Sequence, residues 1–361
     1  MSARPSRFSR FLTRLFHWEY WNMHLVYVPD YVYYAWLCIR SGWKYFFNAA
    51  DPLIENGGFL MESKKKIYDS LPSGSYPRTL LFAAHPSPDE VIKKIKENGF
   101  QFPLIAKPDI GMRGLAAQKL ESESDIFQFI PAYSIDFLIQ EFVPWKNEVG
   151  IFYCRYPDQP GGFITGIVGK EFMTITGDGK KSMAQLVLAN SRYALQWEAL
   201  EKEYGSTWND VPRAGEKIEL LPYGNHARGA LFLDHSDQID DRLTQIMDDY
   251  CQQVPEFYFG RLDIRFNDWE ELRQGKNFSV IELNGAGSEP THMYDPKHSL
   301  FFAWKELIRH HRILFRIARL NHKRGYSYMT FAEGQAMFRA SRIYTKKLQE
   351  VHARLLAIEK N

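Results

Sequence analysis

Two carboxylates and an amide stand where two neighbouring strand-like runs would bring them together. In GRLDIRF, residues 260–266, the residues Arg261, Asp263 and Arg265 share one face by the period of two, with Leu262 and Ile264 on the other. In VIELN, residues 280–284, Glu282 and Asn284 share a face in the same way. The turn-forming stretch NDWEELRQGKN separates the runs, so antiparallel pairing would set Asp263 beside Glu282 and Asn284. Two carboxylates and an amide oxygen are hard donors, the kind Mg2+ takes when nucleotide phosphates complete its shell. Arg261 on the same face would stabilise negative charge on a transferring phosphoryl group. The plain alternative is a surface hairpin with solvated charges.

Two further stretches carry groups that suit a nucleotide. In FPLIAKPDIGMRG a strand delivers Lys107 into a loop with Gly111 and Gly114, where backbone N–H groups can approach phosphate oxygens. There is no GxxxxGK[ST] and no GxGxxG, so neither P-loop nor Rossmann binding is supported. In FLIQEFVPWKNEVGIFY an apolar strand runs into Glu141, turns at Pro144 and reaches Glu148. The backbone of such a hinge, Val143 included, would offer N–H and C=O groups to an adenine edge, while Glu148 would accept from ribose hydroxyls. A hairpin with exposed glutamates is the alternative here.

The elements that must position these residues alternate along the chain. RTLLFA reads as a strand, and PDEVIKKIKE as a helix started by Ser87 and Pro88 and stopped by Gly99, with Val91, Ile92 and Ile95 at helical spacing. SESDIFQFI reads as a helix between the strands FPLIAKP and FLIQEFV, and EVGIFYCRY, GFITGIVG and FMTIT as later strands closed by the turn GDGKK. Helices follow over about 183–204 and about 238–253, and the last sixty residues are helical. There Lys305, Arg309, Arg312, Arg316, Arg319 and Lys323 recur every three or four residues as one basic stripe. The organisation expected is an aromatic-rich region at 1–60, α+β segments at 61–155 and 156–300, and a helical basic extension at 301–361.

Composition bounds the rest. A chain of 361 residues with 45% hydrophobic and 24% charged residues is an ordinary globular protein of two or three subdomains. A formal net charge of +2 argues against general nucleic-acid binding. Cys38, Cys154 and Cys251 have no pairing or metal-ligand spacing, which suits a reducing cytoplasm, and no Cys/His cluster points to zinc. The basic N-terminus leads into HWEYWNMH rather than a cleavage site, and the apolar run at 25–39 contains Pro29 and Asp30, so neither a signal peptide nor a membrane span is expected.

The order of these stretches resembles the ATP-grasp superfamily, with similarity to D-alanine–D-alanine ligase and to cyanophycin-synthetase-like enzymes. The residues that carry it are the lysines at 64–66, Lys107 in AKPD, Glu141 and Glu148 at E-x-x-x-x-x-x-E, Gly260-Arg261-Leu262-Asp263, and Glu282-Leu283-Asn284. The resemblance covers roughly 55–300 and implies ATP held between two α+β subdomains. It further implies that Lys66 or, nearly as well placed, Lys64 contacts ATP beside Lys107, and that Asp263, Glu282 and Asn284 hold Mg2+, with Mn2+ as an alternative. ITGDGKKSMAQLV and GNHARGALFLD resemble segments of the cyanophycin-synthetase-like enzymes, which makes Asn225 and Arg228 candidates for γ-phosphate or acyl-phosphate contacts beside Arg261. The loop DIGMRG departs from the longer Ser/Gly-rich loop of D-alanine–D-alanine ligases, and their tyrosine-bearing closing loop has no counterpart.

The activity so implied activates a substrate carboxylate as an acyl phosphate and joins it to an amine, releasing ADP and phosphate. A non-catalytic ATP-binding scaffold and an ATP-dependent phosphotransferase are the alternatives. The partners expected are small-molecule or lipid-linked carboxylates and amines, with no nucleic acid. Arginines mixed with interfacial aromatics at the N-terminus, and the basic stripe at the other end, raise a peripheral association with an anionic cytoplasmic membrane face. The alternative is that the aromatics form a core and the stripe is a solvated helix face.

Overall fold

The computed structural model describes residues 4–112, 114–171, 173–220 and 231–358. The fold is α+β, as expected. Strands are β1 (Thr79–Phe82), β2 (Leu104–Pro108), β3 (Gln118–Leu120), β4 (Phe137–Glu141), β5 (Asn147–Arg155), β6 (Gly162–Glu171), β7 (Thr174–Thr176), β8 (Lys217–Glu219), β9 (Leu231–Asp234), β10 (Phe259–Phe266) and β11 (Phe278–Asn284). Helices are α1 (Arg7–Phe16), α2 (Met23–Val26), α3 (Val28–Arg40), α4 (Lys64–Ser70), α5 (Pro88–Glu97), α6 (Glu123–Phe129), α7 (Met183–Leu188), α8 (Trp197–Tyr204), α9 (Asp241–Gln252), α10 (Trp269–Leu272), α11 (Leu300–Lys323) and α12 (Phe331–Ile358). The chain divides into two compact units. The smaller holds Met1–Val32, Val168–His235 and Thr291–Leu307, and the larger Tyr33–Ile167, Ser236–Pro290 and Ile308–Asn361.

The larger unit is built on two antiparallel sheets. One has the order β1-β4-β2-β3. Phe82, Leu104, Ala106, Phe137 and Ile139 put their side chains on one of its faces, against Val91 and Ile95 of α5, Ile126 of α6 and Leu348, Val351 and Leu355 of α12. Helix α5 starts where the sequence predicts, because Ser87 accepts from the Glu90 N–H and Pro88 occupies the first turn. Alternation sends Lys107 and Gln140 to the opposite face, where they bond to each other and Lys107 meets Tyr68 of α4.

In the second sheet of this unit β11, β10, β5 and β6 are neighbours in that order. Val149, Ile151, Leu262, Ile264, Phe266 and Val280 cover one face and pack on Leu243, Met247 and Cys251 of α9 and on Ile67 and Tyr68 of α4. On the other face Phe152, Cys154 and Phe259 pack on Ile313, Leu314 and Ile317 of α11. The basic stripe of α11 stays exposed from Lys305 to Lys323, while His310 between those cations is buried, hydrogen-bonded to Thr165 at 2.8 Å.

The smaller unit has two apolar clusters. Met173, Ile175, Met183, Val187, Trp197, Leu200 and Trp208 gather β7, α7 and α8, with Ser182 and Gln185 forming a capping box at the start of α7. Trp18, Val26, Tyr27, Phe232, Met293 and Tyr294 form the other, and residues 168–171 of β6 pair with β9. Helix α1 exposes Phe8, Phe11, Leu15 and Phe16. No helix among the described residues is long and apolar enough to cross a membrane.

Candidate active site

The antiparallel pairing of β10 and β11 sets Asp263 opposite Glu282 and Arg261 opposite Asn284. The register shifts between Asp263 and Ile264, leaving Ile281 as the extra residue of a bulge. Its carbonyl accepts a hydrogen bond from the Tyr68 hydroxyl of α4. The linker between the two strands is not all turn, since it carries the short helix α10 capped by Asp268.

Each carboxylate of the pair faces a cation. Asp263 is 3% exposed and takes two bonds from Arg261, Nε to Oδ1 at 2.7 Å and Nη2 to Oδ2 at 3.3 Å. Glu282 takes the ammonium of Lys64 at 2.6 Å. Burial pushes the Glu282 carboxyl up, but Lys64 and, more weakly, Lys107 outweigh it and hold the group below the usual glutamate range. Burial would lower the Lys64 ammonium, but Glu282 reverses the sign and raises it. Glu62, half-buried nearby, has its carboxyl pushed up by burial against the pull of Lys64, and its Oε2 is buried with no hydrogen-bond partner.

Lys64 reaches Glu282 because α4 begins there. Ser63 caps the helix by accepting from the Lys66 N–H, and the Lys65 N–H donates to the Asp109 carboxylate at 2.8 Å. The Lys64 N–H donates to the Asp109 carbonyl at 3.2 Å, so the loop that follows Lys107 fixes the first turn of α4. That role of Asp109 was readable only as the third residue of KPD, a pattern that alone is an ordinary turn. Lys107 itself donates to Tyr68 Oη and Gln140 Oε1, both at 2.8 Å. Gly111 lies in the same loop, where a Cβ on it would sit 3.7 Å from Lys64 Cε, and Gly114 has a left-handed φ of +69° with open space beside it.

The remaining predicted residues divide. Lys66 pairs with Glu55 on the exposed side of α4, away from Glu282, because successive helix positions point about 100° apart. Glu141 is held by Arg78, with Nε at 2.8 Å. Glu148 is held by Arg265 at 3.2 Å, and the same guanidinium donates to the Val143 carbonyl at 3.1 Å. Strands β4 and β5 lie in different sheets, so residues 142–146 connect two sheets and do not close a hairpin. Asn225 and Arg228 lie outside the described residues.

Sequence reasoning missed what lies behind Asn284. The glycines that follow it pack backbone to backbone on residues 57–59: Ala286 N–H donates to the Gly57 carbonyl and Gly287 N–H to the Gly58 carbonyl, each at 2.9 Å. A Cβ on Gly285 would stand 2.6 Å from Gly57 O, so this approach requires glycine. Asp51 lies beneath, fully buried, accepting at Oδ1 from the N–H groups of Tyr258 at 2.7 Å and Phe259 at 3.0 Å. Its Oδ2 has no hydrogen-bond partner, and burial pushes the carboxyl up to about 8.

Whether this set fits a divalent cation turns on Asn284. Its Nδ2 is buried with no hydrogen-bond partner, so turning the amide over sacrifices no bond of that atom and would present the oxygen instead. Two carboxylates and that oxygen make a hard donor set, which fits Mg2+. No cluster of three or more His, Cys, Asp and Glu among the described residues forms a protein cage for a metal. A site of this kind therefore relies on ligands from phosphate and water, as Mg2+ sites commonly do.

Comparison with known proteins finds distant likenesses, each at low identity. No family model matches it. Over 203 residues, 50% of the chain, it is 23% identical to the glutathione biosynthesis bifunctional protein of Clostridium perfringens, and the match spans 25% of that protein's length. Among solved structures it is similar to a bifunctional glutathione synthetase from Pasteurella multocida, at 15% identity and a TM-score of 0.39, covering 71% of this chain and 38% of that one. It is also similar to a D-alanine–D-alanine ligase from Bacillus anthracis, at 11% identity and a TM-score of 0.38, covering 73% and 69%.

Proposed function

We propose that the chain is an ATP-dependent carboxylate–amine ligase whose phosphate site is built from Lys64, Lys107, Arg261, Asp263, Glu282 and Asn284. The observation that carries this reading is the register of β10 on β11, with Lys64 drawn onto Glu282 from a separate element. Three cations and two carboxylates concentrated on strand and helix positions suit a polyphosphate better than a general acid–base reaction, since no His or Cys stands among them.

In this reading Lys64, Lys107 and Arg261 bind phosphoryl oxygens, each already oriented by a hydrogen-bonded partner. Glu148, steadied by Arg265, accepts from ribose hydroxyls, and the backbone near Val143 meets the adenine edge. Asp263, Glu282 and Asn284 would hold Mg2+, which when bound offsets the negative charge of the phosphates. A carboxylate oxygen of the substrate attacks the γ-phosphorus, the bond to ADP breaks, and an acyl phosphate forms. An amine then attacks the acyl carbon, phosphate leaves with the electron pair of the C–O bond, and the amine proton passes to water.

The test is ADP formation against a panel of carboxylate and amine pairs, comparing the native chain with Glu282→Ala. The expected outcome is substrate-dependent ADP and phosphate in equal amounts, reduced at least about 100-fold in the variant. Full activity in the variant would show the metal assignment to be wrong. ATP binding without turnover on any pair would point to a scaffold, and a stable phosphorylated product to a phosphotransferase.

A further inference from the structure

The larger unit carries a second cationic feature that the ligase reading does not use. A surface cavity of about 300 Å³ is lined by Arg40, Lys44, Arg319 and Lys323, with His322 and Tyr328 among its other walls. Tyr328 is buried and His322 stacks on it with ring centroids 4.1 Å apart, so part of the wall is rigid while the four cations are exposed. No carboxylate lines the cavity. Glu333 feels Lys44, but its carboxyl is held low first by hydrogen bonds from Thr330 and only weakly by that lysine. Four like charges around one cavity repel each other, and a bound polyanion relieves that repulsion.

The end of α3 that supplies Arg40, and the turn after it, also carry exposed apolar groups. Trp36, Ile39 and Trp43 are 46%, 47% and 74% exposed. The Arg40 guanidinium lies 4.8 Å over the Trp36 ring and 5.4 Å over Phe315, which ties the cation to this aromatic patch. The turn that ends α3 holds Trp43 between Ser41 and Lys44, two residues that line the cavity, with its backbone N–H donating to the Cys38 carbonyl at 3.1 Å. A free phosphate needs the cations alone. Tryptophans left in water beside those cations match a surface that is anionic and apolar together, the headgroup region of a bilayer.

We propose that this cavity seats the phosphate of an anionic phospholipid headgroup, with Trp36, Ile39 and Trp43 inserted at the headgroup–acyl boundary. The association is peripheral and stands independently of the ligase reading.

Co-sedimentation of the full chain with vesicles tests it, using phosphatidylcholine alone and phosphatidylcholine mixed with phosphatidylglycerol, at low and high salt. The chain should sediment with the anionic vesicles, and more weakly at high salt because the charge contribution is screened. Arg319→Glu combined with Lys323→Glu should weaken binding about tenfold or more. Trp43→Ser should weaken it severalfold and reduce the vesicle-induced blue shift of tryptophan emission. Circular dichroism melts check that the variants fold, and Lys44→Glu replaces the double variant if that one does not. Absence of sedimentation with anionic vesicles at either salt overturns the proposal, as does equal binding to neutral vesicles. Calorimetric binding of inorganic phosphate without vesicle binding would overturn it in favour of a soluble anion. A change of mass in gel filtration with Trp43→Ser, again without vesicle binding, would overturn it in favour of contact between copies.

Discussion

The larger unit has two positively charged regions, and they treat their charges in opposite ways. At the candidate active site each cation is engaged: Lys64 with Glu282, Arg261 with Asp263, Arg265 with Glu148, and Lys107 with Tyr68 and Gln140. These side chains are half-buried and belong to strands or to a capped helix turn. Around the cavity by α3 and α11 the cations are exposed and share their wall with no carboxylate. The difference teaches where the energy of each charge goes. A half-buried cation must be compensated inside the fold or it costs several kcal/mol, so site charges contribute to stability and geometry together. An exposed cation is solvated already, and its free energy is left for an external partner.

The strongest test of this contrast separates neighbouring lysines of α4. Lys64→Ala removes the partner of Glu282 and a proposed phosphate ligand, so turnover should fall about 10²- to 10³-fold. Lys66→Ala breaks only an exposed pair with Glu55, and turnover should stay within about twofold. Steady-state ADP formation measures both, and equal losses would break the distinction.

A smaller effect is expected at Asp51, a buried carboxyl held by two backbone N–H groups. Its folded pKa, about 8, lies above the ordinary aspartate value, so the native state keeps a proton that the unfolded chain releases. Stability should be greatest below the ordinary aspartate range and decline as pH rises to about 8, at up to about 1.4 kcal/mol per pH unit. Asp51→Asn keeps an acceptor for the Tyr258 and Phe259 N–H groups and should flatten that slope, as read from urea unfolding across pH.

The smallest effect belongs to the cavity. Lys44→Ala and Lys323→Ala should change unfolding free energy by no more than about 0.5 kcal/mol, because both side chains are exposed. A loss of several kcal/mol would mean that the cavity cations are structural and would erase the comparison.

Legibility followed the range of the interaction. The pairing of Asp263 with Glu282 was readable because strand alternation is local and a linker of the right kind joined GRLDIRF to VIELN. Helix α5 was readable for the same reason, from Ser87, Pro88 and Gly99. Which of Lys64 and Lys66 would pair with Glu282 was not, since only the loop with Asp109 fixes where the helix begins. The arginine partners of Glu141 and Glu148 were equally hidden, because Arg78 and Arg265 reach them from distant parts of the chain.

By itself, then, the sequence determined the types of group available, the faces of strands and helices they would share, and the absence of P-loop and Rossmann patterns. Tertiary structure decided which charges meet. It placed β4 and β5 in separate sheets, buried Asp51 under a backbone contact that only glycine at 57, 58 and 285 permits, and left Arg40, Lys44, Arg319 and Lys323 around one cavity. The physical reason is that alternation and capping act over a few residues. Burial and Coulomb energy instead depend on distances that exist only once segments far apart in the chain have packed.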